Sequence, residues 1–260
     1  MSKEKLSIIK IGGNIIEDDT SLNAFLKLFS NLEGKKILVH GGGKQATAIA
    51  SKLGIESKMV NGRRITDKDT LEVITMVYGG LVNKNMVAKL QALQIDAIGL
   101  TGADINSIKS NKRQVTNIDY GFVGDVKEVA SNSIDRLIKA NFTPVFCAIT
   151  HDGNGQLLNT NADTIASKVA IGMSKKYDTT IYYCFELNGV LRDINDQNSV
   201  IKYLNINTYN KLLKDGNIAD GMLPKLENCF DALKNGVSKV NMGNTNMFTK
   251  ENDNFTSITI

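Results

Sequence analysis

The chain has 260 residues, 42% hydrophobic and 22% charged, a globular balance that is long enough to bury a substantial core and excludes a disordered chain. Its formal charge of +4 comes from scattered lysines without aromatic interleaving, which argues against a nucleic-acid groove and for a small anionic partner. No run approaches the ~18 apolar residues of a membrane span, and Cys147, Cys184 and Cys229 lie far apart in apolar surroundings, so a soluble, reduced, cytoplasmic protein is expected, with no nucleic acid and no membrane as partner.

The first predicted strand, "LSIIKIGGN" from Leu6, carries Lys10 near its end and runs into Gly12 and Gly13. A helix follows, with Leu22, Phe25, Leu26, Phe29 and Leu32 at helical spacing and Gly34 as its stop. A second strand, "KILVH", runs into Gly41, Gly42 and Gly43, and the next helix puts Ala46, Ile49, Ala50 and Leu53 on one face. This β-α-β-α alternation predicts an α/β fold built on a mostly parallel sheet with helices on both faces. "DTLEVITMVYGGLVNKNMVAKLQAL" reads as a helix apolar on more than one face, either deeply buried or shared with a second copy, and a homodimer is expected. "DAIGL" is a strand, residues 103–129 form a hairpin-rich excursion, and "TPVFCAI" is one continuous apolar strand. The remainder reads as helix "NADTIASKVAIGM", strand "TIYYCFEL", helices "TYNKLLKDG" and "KLENCFDALKNG", and strands "SKVNMG" and "TSITI". A boundary near Lys175 and Lys176 divides the chain into lobes 1–176 and 177–260.

Two strands that each end in glycines at the carboxyl edge of a parallel sheet place bare backbone N–H groups in the crevice where such folds bind ligands. Without Cβ atoms, Gly12, Gly13, Gly42 and Gly43 let the backbone approach phosphate oxygens, and the helix after the second pair adds its positive end. Lys10, costly if buried alone, is then matched by an anion. Either pair by itself is a tight strand-to-helix turn; both together with the lysine favour a polyphosphate. A P-loop is absent, because Lys44 is followed by Gln45, and "GGGKQA" lacks the acidic residue of a dinucleotide site about twenty residues on.

In order along the whole chain, "IIKIGGN", "LVHGGGKQ", "VNGRRITD", "VNKNMV", "IGLTGAD", "GFVGDV", "GQLLNTNADTIA", "LNGVLRD" and "DGMLPKLENCFDAL" resemble the amino acid kinases, and within them the N-acetylglutamate kinases of arginine biosynthesis. The resemblance implies a three-layer αβα sandwich with two lobes, the first binding the acylated amino acid and the second ATP. It further implies transfer of the γ-phosphoryl group to the side-chain carboxylate of an N-acylated glutamate, with Mg2+ held through phosphates and water and no protein metal site. Lys10, Lys225 and Asp163 match the catalytic positions, the aspartate orienting both lysines; Gly42, Gly43, Arg64 and Asn159 match the amino acid site. Gly12, Gly13, Glu186, Leu187, Asn188, Gly189, Val190, Leu191, Asn217, Ile218 and Ala219 match the nucleotide site, with Glu186 standing where the family usually has aspartate. On residue type alone, Lys225 is an exposed helix lysine, Asp163 an acid at a helix start and Arg64 a solvated arginine beside a turn. A glutamate carboxylate is ionised at neutral pH, so no general base is needed and His40 and His151 are expected to be structural.

Arg63 stands where family members commonly have an aliphatic residue; facing the pocket, it would favour an acyl chain ending in a carboxylate, such as succinyl, over acetyl. Arginine-inhibited members carry an additional N-terminal helix that builds hexamers, whereas the first strand here starts almost at once, so a dimer without that feedback is expected. The competing readings are a sister kinase of the same fold, a non-catalytic ligand sensor, which would lack one of the two lysines or the aspartate, and a dinucleotide-dependent oxidoreductase.

Overall fold

The computed structural model describes residues 2–60, 62–193, 195–214, 222–249 and 254–260. β1 (Lys5–Ile11) buries Ile8 and Ile9, neighbours that point to opposite faces, so both sides of the strand must be covered. After α1 (Gly13–Glu17), Asp18 starts α2 (Asp19–Ser30) by accepting the Ser21 N–H at 2.7 Å, and Leu22, Phe25, Leu26 and Phe29 form its buried face. β2 (Lys35–His40) includes the buried Lys36, whose ammonium donates to the carbonyls of Phe29, Ser30 and Leu32 at 2.8, 2.9 and 2.9 Å and closes the end of α2. α3 (Gly43–Lys52) leads to a short hairpin, β3 (Met59–Val60) and β4 (Arg63–Arg64).

The long apolar helix is not uniform. α4 (Lys68–Ile74), started by Asp67 accepting the Thr70 N–H at 2.8 Å, passes into a π-helical segment, Thr75–Val82, before α5 (Asn83–Ala92). The wider turn distributes its apolar residues around the axis, burying Val77, Tyr78 and Val82 while Met76 and Leu81 stay 57% and 47% exposed.

β5 (Ala97–Leu100) precedes an antiparallel pair, β6 (Ile108–Lys112) and β7 (Gly124–Val129), and then α6 (Ser131–Lys139). The apolar run expected as one strand is two: β8 (Thr143–Cys147) lies in the main sheet, and after Ala148 the chain turns into β9 (Ile149–His151), which pairs with β10 (Leu157–Asn159) and β6. Residues buried in either sheet look alike in sequence, so the break carries no apolar signature. α7 (Ala162–Ser174), β11 (Asp178–Cys184), β12 (Tyr203–Leu204), α8 (Ile206–Lys214), α9 (Leu223–Lys234), β13 (Lys239–Gly243) and β14 (Thr256–Ile258) complete the described elements.

The eight-stranded sheet runs β12-β14-β13-β11-β1-β2-β8-β5, and the four-stranded sheet runs β10-β9-β6-β7. Among the described pairings of the large sheet only β13 with β14 is antiparallel. α2 packs with α5, and α7 packs with α6 and α9, giving the α/β architecture with helices on both faces. β1 has β2 on one side and β11 on the other, so the chain leaves it in both directions across the sheet, and its carboxyl end is where such folds open a crevice.

Candidate active site

Lys10 occupies that carboxyl end, in register with Tyr183 of β11 and Val39 of β2. Its side chain is 13% exposed, and its ammonium lies 2.8 Å from Asp163 Oδ1. Lys225, in the first turn of α9, approaches Asp163 Oδ2 from the other side, also at 2.8 Å. Asp163 itself sits in the first turn of α7, which Asn161 starts by accepting the Thr164 N–H at 3.1 Å, and Tyr183 Oη donates to the Asp163 carbonyl at 3.1 Å. Burial pushes the Asp163 carboxyl up, but the adjacent charges of Lys10 and Lys225 and their hydrogen bonds outweigh burial and hold it well below the usual carboxylate range. The ionised carboxylate thus fixes two ammonium groups drawn from β1 and α9.

The glycine turns flank this cluster. Gly12 N–H donates to Cys184 O at 3.1 Å, so it is spent on the sheet, whereas Gly13 opens α1, where the first-turn N–H groups have no helical partner. Gly42 adopts φ 151°, and a Cβ there would lie 3.0 Å from Tyr78 Cδ1; only glycine fits both constraints. Lys44 ties the two turns together, donating to Asn14 and, at 3.1 Å, to Glu17.

Fully buried His40 lies beneath the second turn. Asn83 Nδ2 donates to its Nε2 at 2.9 Å and to Val145 O at 2.9 Å, so Nδ1 carries the proton and donates to Gly41 O at 2.7 Å. Burial lowers the His40 pKa to about 4, and the ring is a neutral brace for the turn. His151 accepts the Gly153 N–H at 3.2 Å in its own turn.

A cavity of about 230 Å³ opens beside Gly42 and Gly43 and is lined by Arg63, Arg64, Tyr78, Arg113 and Asn159 among others. Arg64, from β4, is 8% exposed and donates to Ser57 Oγ at 2.6 Å, Gly43 O at 2.9 Å and Thr47 Oγ1 at 2.7 Å, which locks its planar fork against the glycine turn. Asn159 Nδ2 donates to Thr66 Oγ1 at 3.0 Å. Sequence reasoning missed Tyr78, which looked like one more apolar-face residue of a long helix, and Arg113, which sits in an irregular stretch without a motif.

On the opposite side of β1, the loop after β11 carries Glu186, exposed, and Leu187, half-buried; Val190 and Leu191 bury their side chains. Asn188 accepts from Asn244 Nδ2 at 2.6 Å and donates to Gln197 O at 3.1 Å. A Cβ on Gly189 would lie 2.6 Å from Thr256 Oγ1, so glycine is required where the loop crosses β14. Asn217, Ile218 and Ala219 lie outside the described residues.

A sequence profile of the Amino acid kinase family matches residues 5–244. The chain is 57% identical to the acetylglutamate kinase of Bacteroides fragilis over 238 residues, 92% of this chain and 91% of that protein. Its fold is shared with the N-acetylglutamate synthase from Neisseria gonorrhoeae complexed with coenzyme A and N-acetyl-glutamate, at TM-score 0.83 and 19% identity over 100% of this chain and 60% of that one. The carbamate kinase from Giardia lamblia bound to AMP-PNP shares it as well, at TM-score 0.71 and 14% identity over 99% and 98%. The profile and the sequence likeness extend over nearly all of its length, and this chain belongs to the amino acid kinase family.

Proposed function

We propose that the chain transfers the γ-phosphoryl group of ATP to the side-chain carboxylate of N-acetyl-L-glutamate, giving N-acetyl-L-glutamyl 5-phosphate, a step of arginine biosynthesis. The observation that carries this reading is the Lys10–Asp163–Lys225 cluster, with both ammonium groups held at 2.8 Å by one carboxylate at the carboxyl end of the sheet. The nucleophile is an anion meeting a polyanion, so the protein's task is alignment and charge neutralisation rather than proton removal. Lys10 and Lys225 meet the transferring group from two sides, and Asp163 keeps them from collapsing onto the phosphates in the ground state. Arg64 clamps the α-carboxylate with Asn159 assisting, and the N–H groups at Gly42 and Gly43 steady the acceptor.

Residues 1–176 form the amino acid lobe and residues 177–260 the nucleotide lobe. Gly13, beside Gly12, and Lys10 take the phosphates; exposed Glu186 and the backbone from Leu187 through Asn188, Gly189, Val190 and Leu191 take the nucleoside, with Asn217, Ile218 and Ala219 assigned to the same pocket. Asp163 orients the two lysines, and magnesium would be held through phosphate oxygens and water, where it would supply further positive charge to the transferring group. Arg63, which lines the acceptor cavity, favours a second reading in which the acyl group is succinyl. The exposed Met76 and Leu81 of the π-helical segment support a homodimer through that helix, and three free buried cysteines fit a reducing cytoplasm. Hydroxylamine trapping with ATP, magnesium and N-acetylglutamate is expected to yield the glutamyl hydroxamate; no hydroxamate with any acylglutamate would overturn the assignment.

A further inference from the structure

The π-helical segment sets Tyr78 in the wall of the cavity beside Gly42 and Gly43, where a phenylalanine would make the same ring contact with Gly42. The hydroxyl therefore needs a reason of its own. Tyr177 and Tyr183, comparably buried, donate theirs to Asp135 Oδ1 at 2.7 Å and Asp163 O at 3.1 Å. Tyr78 Oη has the Arg64 guanidinium beside it, a group that only donates, so its own proton meets no acceptor among the described residues. Oη and Arg64 Nη2 lie 3.7 and 4.0 Å from the point that a Cβ on Gly43 would occupy, so the missing side chain leaves a space bordered by both polar groups. Burial raises the Tyr78 pKa more than the charge of Arg64 lowers it, and at neutral pH the phenol keeps its proton.

This inference rests on the acylglutamate kinase reading, in which Arg64 clamps the α-carboxylate of the acceptor. Arg64 already spends three of its five N–H donors inside the protein, Nη1 on Ser57 and Nη2 on Gly43 and Thr47, so it brings charge but few free hydrogens, whereas a carboxylate accepts up to about four. We propose that Tyr78 is a specificity-determining substrate residue whose hydroxyl donates to the α-carboxylate above Gly43, completing the clamp that Arg64 begins. An O–H donated to a carboxylate is a charge-assisted bond. A site built to make such a bond rejects a ligand lacking the group, because its own polar atom is then left unpaired.

The test measures KM for N-acetylglutamate and for ATP by hydroxamate formation in the wild-type protein and Tyr78→Phe, with the melting temperature of each. It adds the inhibition constant of N-acetyl-4-aminobutyrate, which keeps the acetyl amide and the reacting carboxylate but has no α-carboxylate. Tyr177→Phe, which removes a comparably buried hydroxyl outside the cavity lining, is the control for lost stability alone. The expected result in Tyr78→Phe is a rise of about tenfold in KM for N-acetylglutamate, with KM for ATP and the inhibition constant of the analogue within about twofold of wild type. An unchanged KM for N-acetylglutamate overturns the proposal. So does an equal weakening of substrate and analogue, which assigns the hydroxyl to a part that both share. A similar rise in Tyr177→Phe, or a parallel rise in both KM values with a lowered melting temperature, overturns it as well, the mark of a structural role. Failure of the wild-type protein to form any hydroxamate removes the kinase reading first, and this assignment falls with it.

Discussion

Asp163 is expensive to bury and is kept ionised by two lysines that are themselves only partly buried, so the three side chains act as a unit. Lys10→Ala and Lys225→Ala should each lower kcat by about 10² to 10³, the scale seen when one group aimed at developing charge is removed, while far-UV circular dichroism stays that of the wild type. An unchanged kcat in either variant would refute the mechanism. Acid titration separates the residues that brace the site from those that carry charge. His40 has a folded-state pKa of about 4, below its ordinary 6.5, because burial disfavours the cation. As pH falls through that window the unfolded chain takes up the proton first, so stability declines by about 3 kcal/mol in all. Asp135, lowered to about 2 as hydrogen bonds from Tyr177, Lys139 and Lys176 outweigh its burial, and Asp163 behave differently. Their folded values lie below the unfolded one, so their contribution is intact above about pH 4 and is lost only below it. Urea unfolding from pH 7 to 3 should therefore show two declines; a flat profile between pH 6.5 and 4 would contradict the buried neutral His40.

At the scale of elements, the proposed acceptor site depends on a π-helical segment meeting a glycine turn. The segment brings Tyr78 against Gly42, and Asn83, the first residue of α5, reaches His40 beneath the same turn. Gly42→Ala combines a forbidden φ of 151° with a 3.0 Å approach to Tyr78. It should destabilise by about 1–3 kcal/mol and raise KM for the acceptor. Gly54→Ala is the control: φ is 75° at the end of α3, but nothing lies within 4 Å of the added Cβ, so it should cost about 1 kcal/mol and leave kinetics unchanged. Comparable KM effects from both substitutions would show that backbone strain in general, rather than this contact, sets acceptor binding.

For the whole molecule, the exposed apolar residues of the central helix call for cover. Beside Met76, a cavity of about 590 Å³ is lined by Leu71, Phe122 and Leu157 together with polar side chains, and Leu81 adds apolar surface on the same π-helical segment. Light scattering of the proposed dimer should give twice the chain mass, and Met76→Glu with Leu81→Glu should reduce it to one, since charge at an interface centre is disfavoured. A wild-type monomer, or a dimer untouched by the double substitution, would place any interface elsewhere. Ligand linkage offers a separate check on the catalytic crevice. ATP with magnesium at about 100 times its Kd should stabilise the fold by about 2.7 kcal/mol, and Lys10→Ala should need more nucleotide for the same effect.

Much of this was legible in the chain. The strand carrying Lys10 near its end and the one ending at His40, the glycines beyond them, and the helix faces of Leu22, Phe25 and Phe29 follow from local periodicity and from the few residues that tolerate tight turns, and these are properties of neighbours in sequence. Residue chemistry also removed the need for a general base, because a carboxylate nucleophile arrives ionised. What only the tertiary structure decided is which distant groups meet. Strand order brings Asp163 between lysines of β1 and α9, the sheet switch at Ala148 splits one apolar run between two sheets, and the π-helical turn points Tyr78 at Gly42. Arg113 is likewise fixed by groups that meet it only in the fold, Asp125 along one edge of its guanidinium and Tyr120 against its face. Periodicity encodes which side of an element is buried; it holds no record of the partner across the crevice, because that depends on crossovers spanning most of the chain.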